Sequence, residues 1–181
     1  MLSAFTKRRK SERGFSLLEM LFATVILLVG LVAIAQLVPA SILLNYQNRN
    51  NSSALVFAQR ELDQMLDQPL NPNPPTQQFQ DAEGNICQLG NPAIINAVQG
   101  TNVVTYNNQT VIDFASSAPG YNFTYAEDPT IPNGLKYDVR WAVVITGNGT
   151  TASSKRFILG IRQQGGTGYF PPITLEAMVE K

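Results

Sequence analysis

Few residues in this chain of 181 could carry out chemistry. It has no histidine, which excludes a catalytic triad that uses histidine and every histidine-ligated metal site. The single cysteine, Cys87, has neither a histidine nor a second cysteine to activate it and cannot form an internal disulfide. We therefore expect an unreactive, small thiol at Cys87, no catalytic residue and no cofactor, and we predict that the protein is not an enzyme.

Two acidic segments and one glycine-rich segment are the other candidates for ligand binding. Carboxylates in residues 81–85 (DAEGN) and the pair Glu127 and Asp128 could supply oxygens to Ca²⁺, but neither has the spacing of a known calcium loop. Residues 165–168 (GGTG) lack the lysine and the following helix of a phosphate-binding loop, so a flexible turn is expected there. We predict no metal site.

One carboxylate lies in a segment where a charge is costly. Glu19 is the only charged residue between Arg13 and Arg49. Residues 15–38 form an apolar run that would be about 36 Å long as a helix, enough to cross the hydrocarbon core of a membrane. An ionised carboxylate in lipid is unfavourable unless it is neutralised, so Glu19 either has a neutralising neighbour or is a polar residue tolerated near the membrane interface.

The charge of the chain is distributed unevenly. Residues 1–14 hold five basic residues against one acidic residue, a net charge of +4, whereas the remaining residues have a net charge of −4. A basic tract before an apolar run marks the cytoplasmic side of a membrane segment. No basic stripe continues beyond it, which disfavours general nucleic-acid binding, although a local patch of Lys155, Arg156 and Arg162 leaves DNA binding open.

A small residue, Gly14, lies before the apolar run and not after it. A secretory signal peptide has its small-residue cleavage site after the apolar region, whereas Gly14 precedes it here. Cleavage at Gly14 would remove the basic leader, residues 1–14, and retain the apolar helix. The helix is therefore expected to be part of the working protein.

Residues 14–19 (GFSLLE) resemble the prepilin cleavage and methylation motif of type IV pilins and type II secretion pseudopilins. The resemblance implies that a prepilin peptidase and N-methyltransferase cuts after Gly14 and methylates Phe15. It also implies that Glu19 is an assembly residue, which meets the positively charged amino terminus of an adjacent subunit. Opposite charges in a low-dielectric environment attract strongly, so this pairing would offset the free-energy cost of placing the Glu19 carboxylate in lipid.

The same resemblance implies a location and a set of partners. The chain would cross the inner membrane once, with a cytoplasmic leader and an extracytoplasmic head, and then join a filament at the cell surface or in the periplasm. Its partners would be other pilin subunits and the inner-membrane assembly machinery. Residues 25–41 and 54–66 most resemble the minor pilins called PilV. A type II secretion pseudopilin, or a filament-displayed adhesin or DNA-uptake subunit, is the alternative.

The helix is predicted to continue beyond the apolar run, over residues 15–67, until Pro69 ends it. Within this range Pro39 removes a backbone hydrogen bond, which predicts a kink or a local opening, and the resemblance implies that the helix bends there when subunits pack. The second half carries a stripe at helical spacing. Its members are Leu55, Ala58, Leu62, Met65 and Leu66.

The remaining residues, 68–181, alternate in a period of two between turn signals, which predicts an antiparallel sheet. The predicted strands are residues 102–106, 109–114, 121–126, 135–146, 155–163 and 173–180. In the fourth strand the odd-numbered residues from Tyr137 to Ile145 are apolar, so one face of the sheet should pack on the helix. The predicted fold class is α+β and type IV pilin-like: a leader, a long amino-terminal helix, and a β-rich head.

Overall fold

The computed structural model of the protein describes residues 14–72, 77–131, 134–165 and 171–180. The leader before Gly14, most of the GGTG segment and part of the proline-rich segment at 71–75 lie outside these residues. The chain divides into two compact units, residues 1–46 and 47–181. Its elements are α1 (Leu17–Leu66), β1 (Gln78–Gln80), β2 (Ile86–Gln88), β3 (Val98–Gly100), β4 (Val103–Tyr106), β5 (Gln109–Ile112), β6 (Asn122–Ala126), β7 (Lys136–Gly147), β8 (Ala152–Gln164) and β9 (Ile173–Glu180).

Five strands form the main sheet, and every pair in it is antiparallel. Its centre is the long hairpin of β7 and β8, and β9 pairs with the other edge of β8. The remaining edge of β7 is shared, because β6 pairs with residues 136–140 and β3 with residues 142–144. Two small hairpins, β1–β2 and β4–β5, stand apart from this sheet.

The α+β prediction is confirmed, and the helix bounds differ from those predicted by one or two residues. Each of the six predicted strands is present with small shifts of its ends. Sequence patterns missed β1, β2 and β3, which have three residues each and are too short to show alternation.

Within residues 47–181, one side of α1 packs on one face of the sheet. The helix contributes Ala54, Phe57, Ala58, Leu62 and Met65, and the sheet contributes Tyr137, Val139, Trp141, Val143, Ile145, Phe157, Leu159 and Ile161. The predicted alternation in β7 is thus confirmed, since all five of its odd-numbered apolar residues are buried. Trp141 also donates its indole N–H to the carbonyl of Gln88 at 2.9 Å, which satisfies its one polar group in the core.

The other face of the sheet is also partly covered, which the sequence did not predict. Ile112 of β5 packs with Ala142 and Ile158 in a second buried cluster. Gly160 makes this approach possible, because a Cβ atom at that position would lie 2.7 Å from the Cβ atom of Ile112. The β4–β5 hairpin therefore covers part of the sheet face that carries the even-numbered side chains of β7.

The predicted helix stripe is correct in part. Ala58, Leu62 and Met65 are buried, whereas Leu55 is only half-buried. The stripe omitted Phe57, whose ring stacks on Tyr125 with the ring centroids 4.2 Å apart. It also omitted a fully buried acid of the same helix, which belongs to a cluster described below.

Candidate functional site

The amino-terminal end of α1 begins with a side-chain cap. Ser16 Oγ accepts a hydrogen bond from the backbone N–H of Glu19 at 3.2 Å, and the Ser16 carbonyl accepts one from the N–H of Met20 at 3.2 Å. This arrangement satisfies one of the free N–H groups of the first turn and fixes where the helix begins. Glu19 therefore lies in the first turn, where the helix dipole favours a negative charge.

Gly14 and Phe15 precede this cap and are exposed. No atom within 4 Å would obstruct a side chain at Gly14, and the Phe15 residue is 80% exposed. The bond between them is thus accessible to another protein in this structure.

The helix surface that follows is almost entirely apolar and uncovered. By length and composition α1 could cross a membrane, and none of its most apolar segment is buried against the rest of the protein. The exposed large side chains are Leu17, Leu18, Met20, Leu21, Phe22, Val25, Ile26, Leu27, Leu28, Val29, Leu31, Val32, Ile34, Leu37, Val38, Ile42, Leu43 and Leu44. A patch of this size on a soluble surface marks a membrane or protein contact.

Glu19 is the one charged residue on this surface, and its carboxylate has no ion-pair partner within the described ranges. Its side chain is exposed, so a neighbour outside the chain could reach it. The structure thus places Gly14 and Phe15 directly before α1 and Glu19 in its first turn, and all three residues are exposed.

Residues on both sides of Pro39 are α-helical, so no local opening is present at the proline. Ser41 Oγ donates to the carbonyls of Leu37 at 2.8 Å and Val38 at 3.1 Å. These side-chain hydrogen bonds lie within the same turn as Pro39, which has no backbone N–H to donate. An opening on assembly stays a prediction.

A second group of titratable side chains meets between α1 and the turn that joins β1 to β2. One oxygen atom each from Glu61, Asp81 and Glu83 lies within 4.8 Å of the other two. Glu61 is fully buried, and burial, then Glu83 and Asp81, raise its pKa to about 7. The acidic segment at 81–85 was a weak calcium candidate in the sequence. Its third carboxylate comes from the helix, which local spacing could not show.

The other acidic candidate does not form a cluster. Asp128 Oδ1 accepts hydrogen bonds from the backbone N–H of Thr130 at 2.9 Å and from its hydroxyl at 2.6 Å, which lowers the pKa of Asp128. Its carboxylate therefore stabilises a turn.

Cys87 is fully buried beside the acidic cluster. Burial, and to a smaller extent Asp81 and Glu61, raise the pKa of its thiol to about 12. A thiol with this pKa is almost entirely protonated at neutral pH and is a poor nucleophile. The structure thus shows a small, buried thiol, and its low reactivity stays a prediction.

The candidate basic patch for DNA is wrong, because the three residues do not form a common surface. Lys155 lies on the helix-facing side of β8 and is only 3% exposed. Arg156 and Arg162 lie on the other side, where each is paired with an acid, Glu176 at 2.7 Å and Asp138 at 3.0 Å respectively. Alternation along a strand separated residues that are close in sequence.

Comparison with known proteins identifies one part of the chain. Residues 9–35 match the family model described as the prokaryotic N-terminal methylation motif. No curated protein and no solved structure matches the chain. The matched residues include Gly14, Phe15, Glu19 and most of the exposed apolar run.

This match supports a type IV pilin-like protein of the pilin or pseudopilin type. The motif implies processing by a prepilin peptidase and assembly with other pilins. A structural subunit and membrane anchoring through α1 both fit the match and the exposed apolar surface.

Proposed function

We propose that the protein is a minor subunit of a type IV pilus or a related filament. Prepilin peptidase removes residues 1–14 and methylates Phe15, and α1 then holds the subunit in the inner membrane until it enters the filament. The observation that carries the proposal is the uncovered apolar half of α1, headed by Gly14, Phe15 and Glu19.

Cleavage after Gly14 would create an unfavourable positive charge at the start of the helix. The new ammonium group at Phe15 would lie next to the positive end of the helix dipole, where a cation is unfavourable. Methylation leaves this charge in place. A nearby carboxylate would stabilise this positively charged end, and every copy of the chain carries one at Glu19.

Pairing between copies fits the geometry of this helix end. The backbone N–H of Glu19 is bonded to Ser16, while its carboxylate is exposed and has no ion-pair partner in the described part of its own chain. In lipid or in a filament core, a neighbour's amino terminus would neutralise Glu19, and Glu19 would neutralise that terminus. One charge pair would thereby link each subunit to the next.

Assignment to a minor subunit of the PilV type rests on the resemblance of residues 25–41 and 54–66 and on the single cysteine. Within the family resemblance, major pilins commonly close the end of the head with a disulfide, which Cys87 cannot form alone. The buried position of Cys87 also keeps it from pairing with a second chain while the head is folded.

Processing tests the proposal most directly. The chain is expressed in cells with an active prepilin peptidase, and intact-mass and amino-terminal spectrometry are applied to the membrane fraction. We expect a mature protein that begins at Phe15 and carries one added methyl group. An intact Met1, or cleavage beyond Val38, would refute the proposal.

Gly14→Leu should block this cleavage and leave the full leader on a membrane-bound protein. Gly30→Leu is the matched control, since a Cβ atom added at either glycine would have no neighbour within 4 Å and both changes add the same bulk. Normal processing of the Gly30 variant would attribute the block to recognition of Gly14.

A further inference from the structure

The acidic cluster of Glu61, Asp81 and Glu83 brings together two parts of the head that are distant in sequence. Glu61 lies on α1, and the two other acids lie in the turn between β1 and β2. Glu61 is 0% exposed and Asp81 is 6% exposed, so two of the three carboxylates are withdrawn from solvent. Such a group needs positive charge or hydrogen-bond donors nearby.

The hydrogen bonds around Glu61 satisfy only one of its oxygens. Glu61 Oε1 accepts from Arg60 at 3.3 Å and from the side-chain amide of Gln64 at 3.2 Å. Glu61 Oε2 is buried and accepts no hydrogen bond from any residue that the structure describes. A buried carboxylate oxygen without a donor is costly, so a cation bound at this atom would remove an unfavourable contribution.

The loop acids are already ordered for such a ligand. Asp81 accepts hydrogen bonds from the backbone N–H of Glu83 at 3.0 Å and of Asn85 at 2.6 Å, and from the Asn85 side chain at 2.7 Å. Gln64 accepts from the N–H of Ala82 at 2.9 Å, which ties the loop to α1. The Asp81 carboxylate is therefore held in place by donors of its own loop, and that loop is held against α1.

The positive charge present does not balance the cluster. Arg60 contacts both Glu61 and Glu83, and it is the only basic side chain paired with any of the three acids in the described ranges. A bound cation would favour ionisation of all three carboxylates, and three carboxylates with one guanidinium carry a net charge of −2. A divalent cation would supply that balance.

We propose that Glu61, Asp81 and Glu83 form a divalent-cation site that joins α1 to the β1–β2 turn, and that Ca²⁺ is its ion. The donors are all carboxylate oxygens, which suit hard cations. Ca²⁺ binds oxygens at about 2.3–2.6 Å, so two of its ligands can lie up to about 5 Å apart, and the 4.8 Å limit on the cluster fits this span. Mg²⁺ demands a near-ideal octahedral shell at about 2.0–2.1 Å and loses its waters reluctantly, so we expect it to bind this set of protein carboxylates less tightly.

A bound ion would act as a cross-link of the head. It would hold the β1–β2 turn against the helix at the point where Glu61 Oε2 lacks a donor. Binding to the folded chain and not to the unfolded chain would raise thermal stability as the ion concentration increases.

The test uses the full chain in detergent micelles after treatment with EDTA and removal of the chelator. Isothermal titration with CaCl₂ and with MgCl₂ measures binding, and thermal unfolding is followed in Ca²⁺ and in EDTA. We expect one Ca²⁺ per chain with a Kd of about 1 mM or tighter, weaker binding of Mg²⁺, and a Tm at least about 3 °C higher in excess Ca²⁺.

Glu61→Gln should weaken Ca²⁺ binding at least tenfold and abolish the Tm increase, while its Tm in EDTA is no lower than that of the parent, because a buried negative charge has been removed. Glu83→Gln, at the surface, gives an independent variant if the helix change impairs folding. Glu180→Gln, an exposed acid at the end of β9, is the matched charge control and should behave as the parent. The proposal would be overturned if the parent does not bind Ca²⁺. It would also be overturned if the Glu61 and Glu83 variants bind Ca²⁺ as tightly as the parent does.

Discussion

The carboxylate of Asp138 receives two hydrogen bonds from the guanidinium of Arg140, each 2.9 Å long. Both side chains are largely buried, at 5% and 13% exposed, on the face of the sheet that does not contact α1. Arg162 and Gln164 each donate a further bond of 3.0 Å to Asp138 Oδ2. Arg140 also donates to the carbonyls of Phe114 and Ser116 and so joins this pair to the segment after β5.

Asp138→Ala should therefore be strongly destabilising. Removal of the acid leaves the buried guanidinium of Arg140 without its counter-ion, a loss of about 3 kcal/mol in the free energy of unfolding. Urea unfolding measures it. Glu176→Ala removes the acid of the Arg156–Glu176 pair, whose side chains are 40% and 46% exposed, and should cost at most about 1 kcal/mol. If Asp138→Ala costs no more than about 1 kcal/mol, as expected for Glu176→Ala, the Asp138 network is not structurally important.

Leu62→Asp tests the packing of α1 on the sheet. Leu62 is 7% exposed within the main core, so the change places a charge there without a partner and should cost several kcal/mol. A fragment of residues 47–181, which corresponds to the second compact unit, should be soluble and suited to thermal unfolding. Val56→Asp is the control, because Val56 is 65% exposed on the same helix. Unchanged stability of the Leu62 variant would mean that this side of the helix faces solvent.

Lys155→Met tests a buried lysine for which the described residues provide no ion pair. Burial lowers the pKa of Lys155 below 10.5, so the unfolded chain binds more protons between the folded pKa and 10.5. The stability of the parent should consequently rise with pH in that window. The methionine variant lacks this dependence and should be more stable at pH 7, by on the order of 1 kcal/mol, with the difference vanishing above about pH 10.5. A difference that is independent of pH would contradict burial of the ammonium group as its cause.

Glu19→Val tests the assembly role and not folding. Insertion into the membrane should become easier, because an ionised carboxylate in lipid costs on the order of 2–3 kcal/mol. Leader cleavage and membrane abundance should be normal, while recovery in sheared filaments should fall sharply. Thr24→Val, a neutral change in the same exposed helix segment, should leave all three quantities unchanged. Incorporation of the Glu19 variant at the parent level would remove Glu19 from the assembly mechanism.

Sequence reasoning succeeded where the pattern is local. The alternation from Tyr137 to Ile145 predicted a strand and its buried face, and the apolar run of residues 15–38 predicted a long helix. Both features depend on neighbours within one element, whose geometry fixes which side chains share a face.

It failed where two distant segments decide the environment of a residue. Glu61 and Asp138 are acids that a pattern assigns to solvent, yet both are buried. The β1–β2 turn lies against the first, and Arg140 and Arg162 pair with the second. Lys155 was grouped with Arg156 although successive strand residues point to opposite faces, and that error could have been avoided by applying the alternation to both.

The change of burial along α1 has an evolutionary consequence. The side chains of residues 14–45 are exposed and are absent from the core clusters, whereas Ala54, Phe57, Leu62 and Met65 must fit the sheet. Selection on the first segment thus acts through other molecules, and selection on the second acts through the head of the same chain. Substitutions in the sheet can be compensated by changes after Tyr46 without altering the apolar segment, so the two parts of α1 are free to change independently.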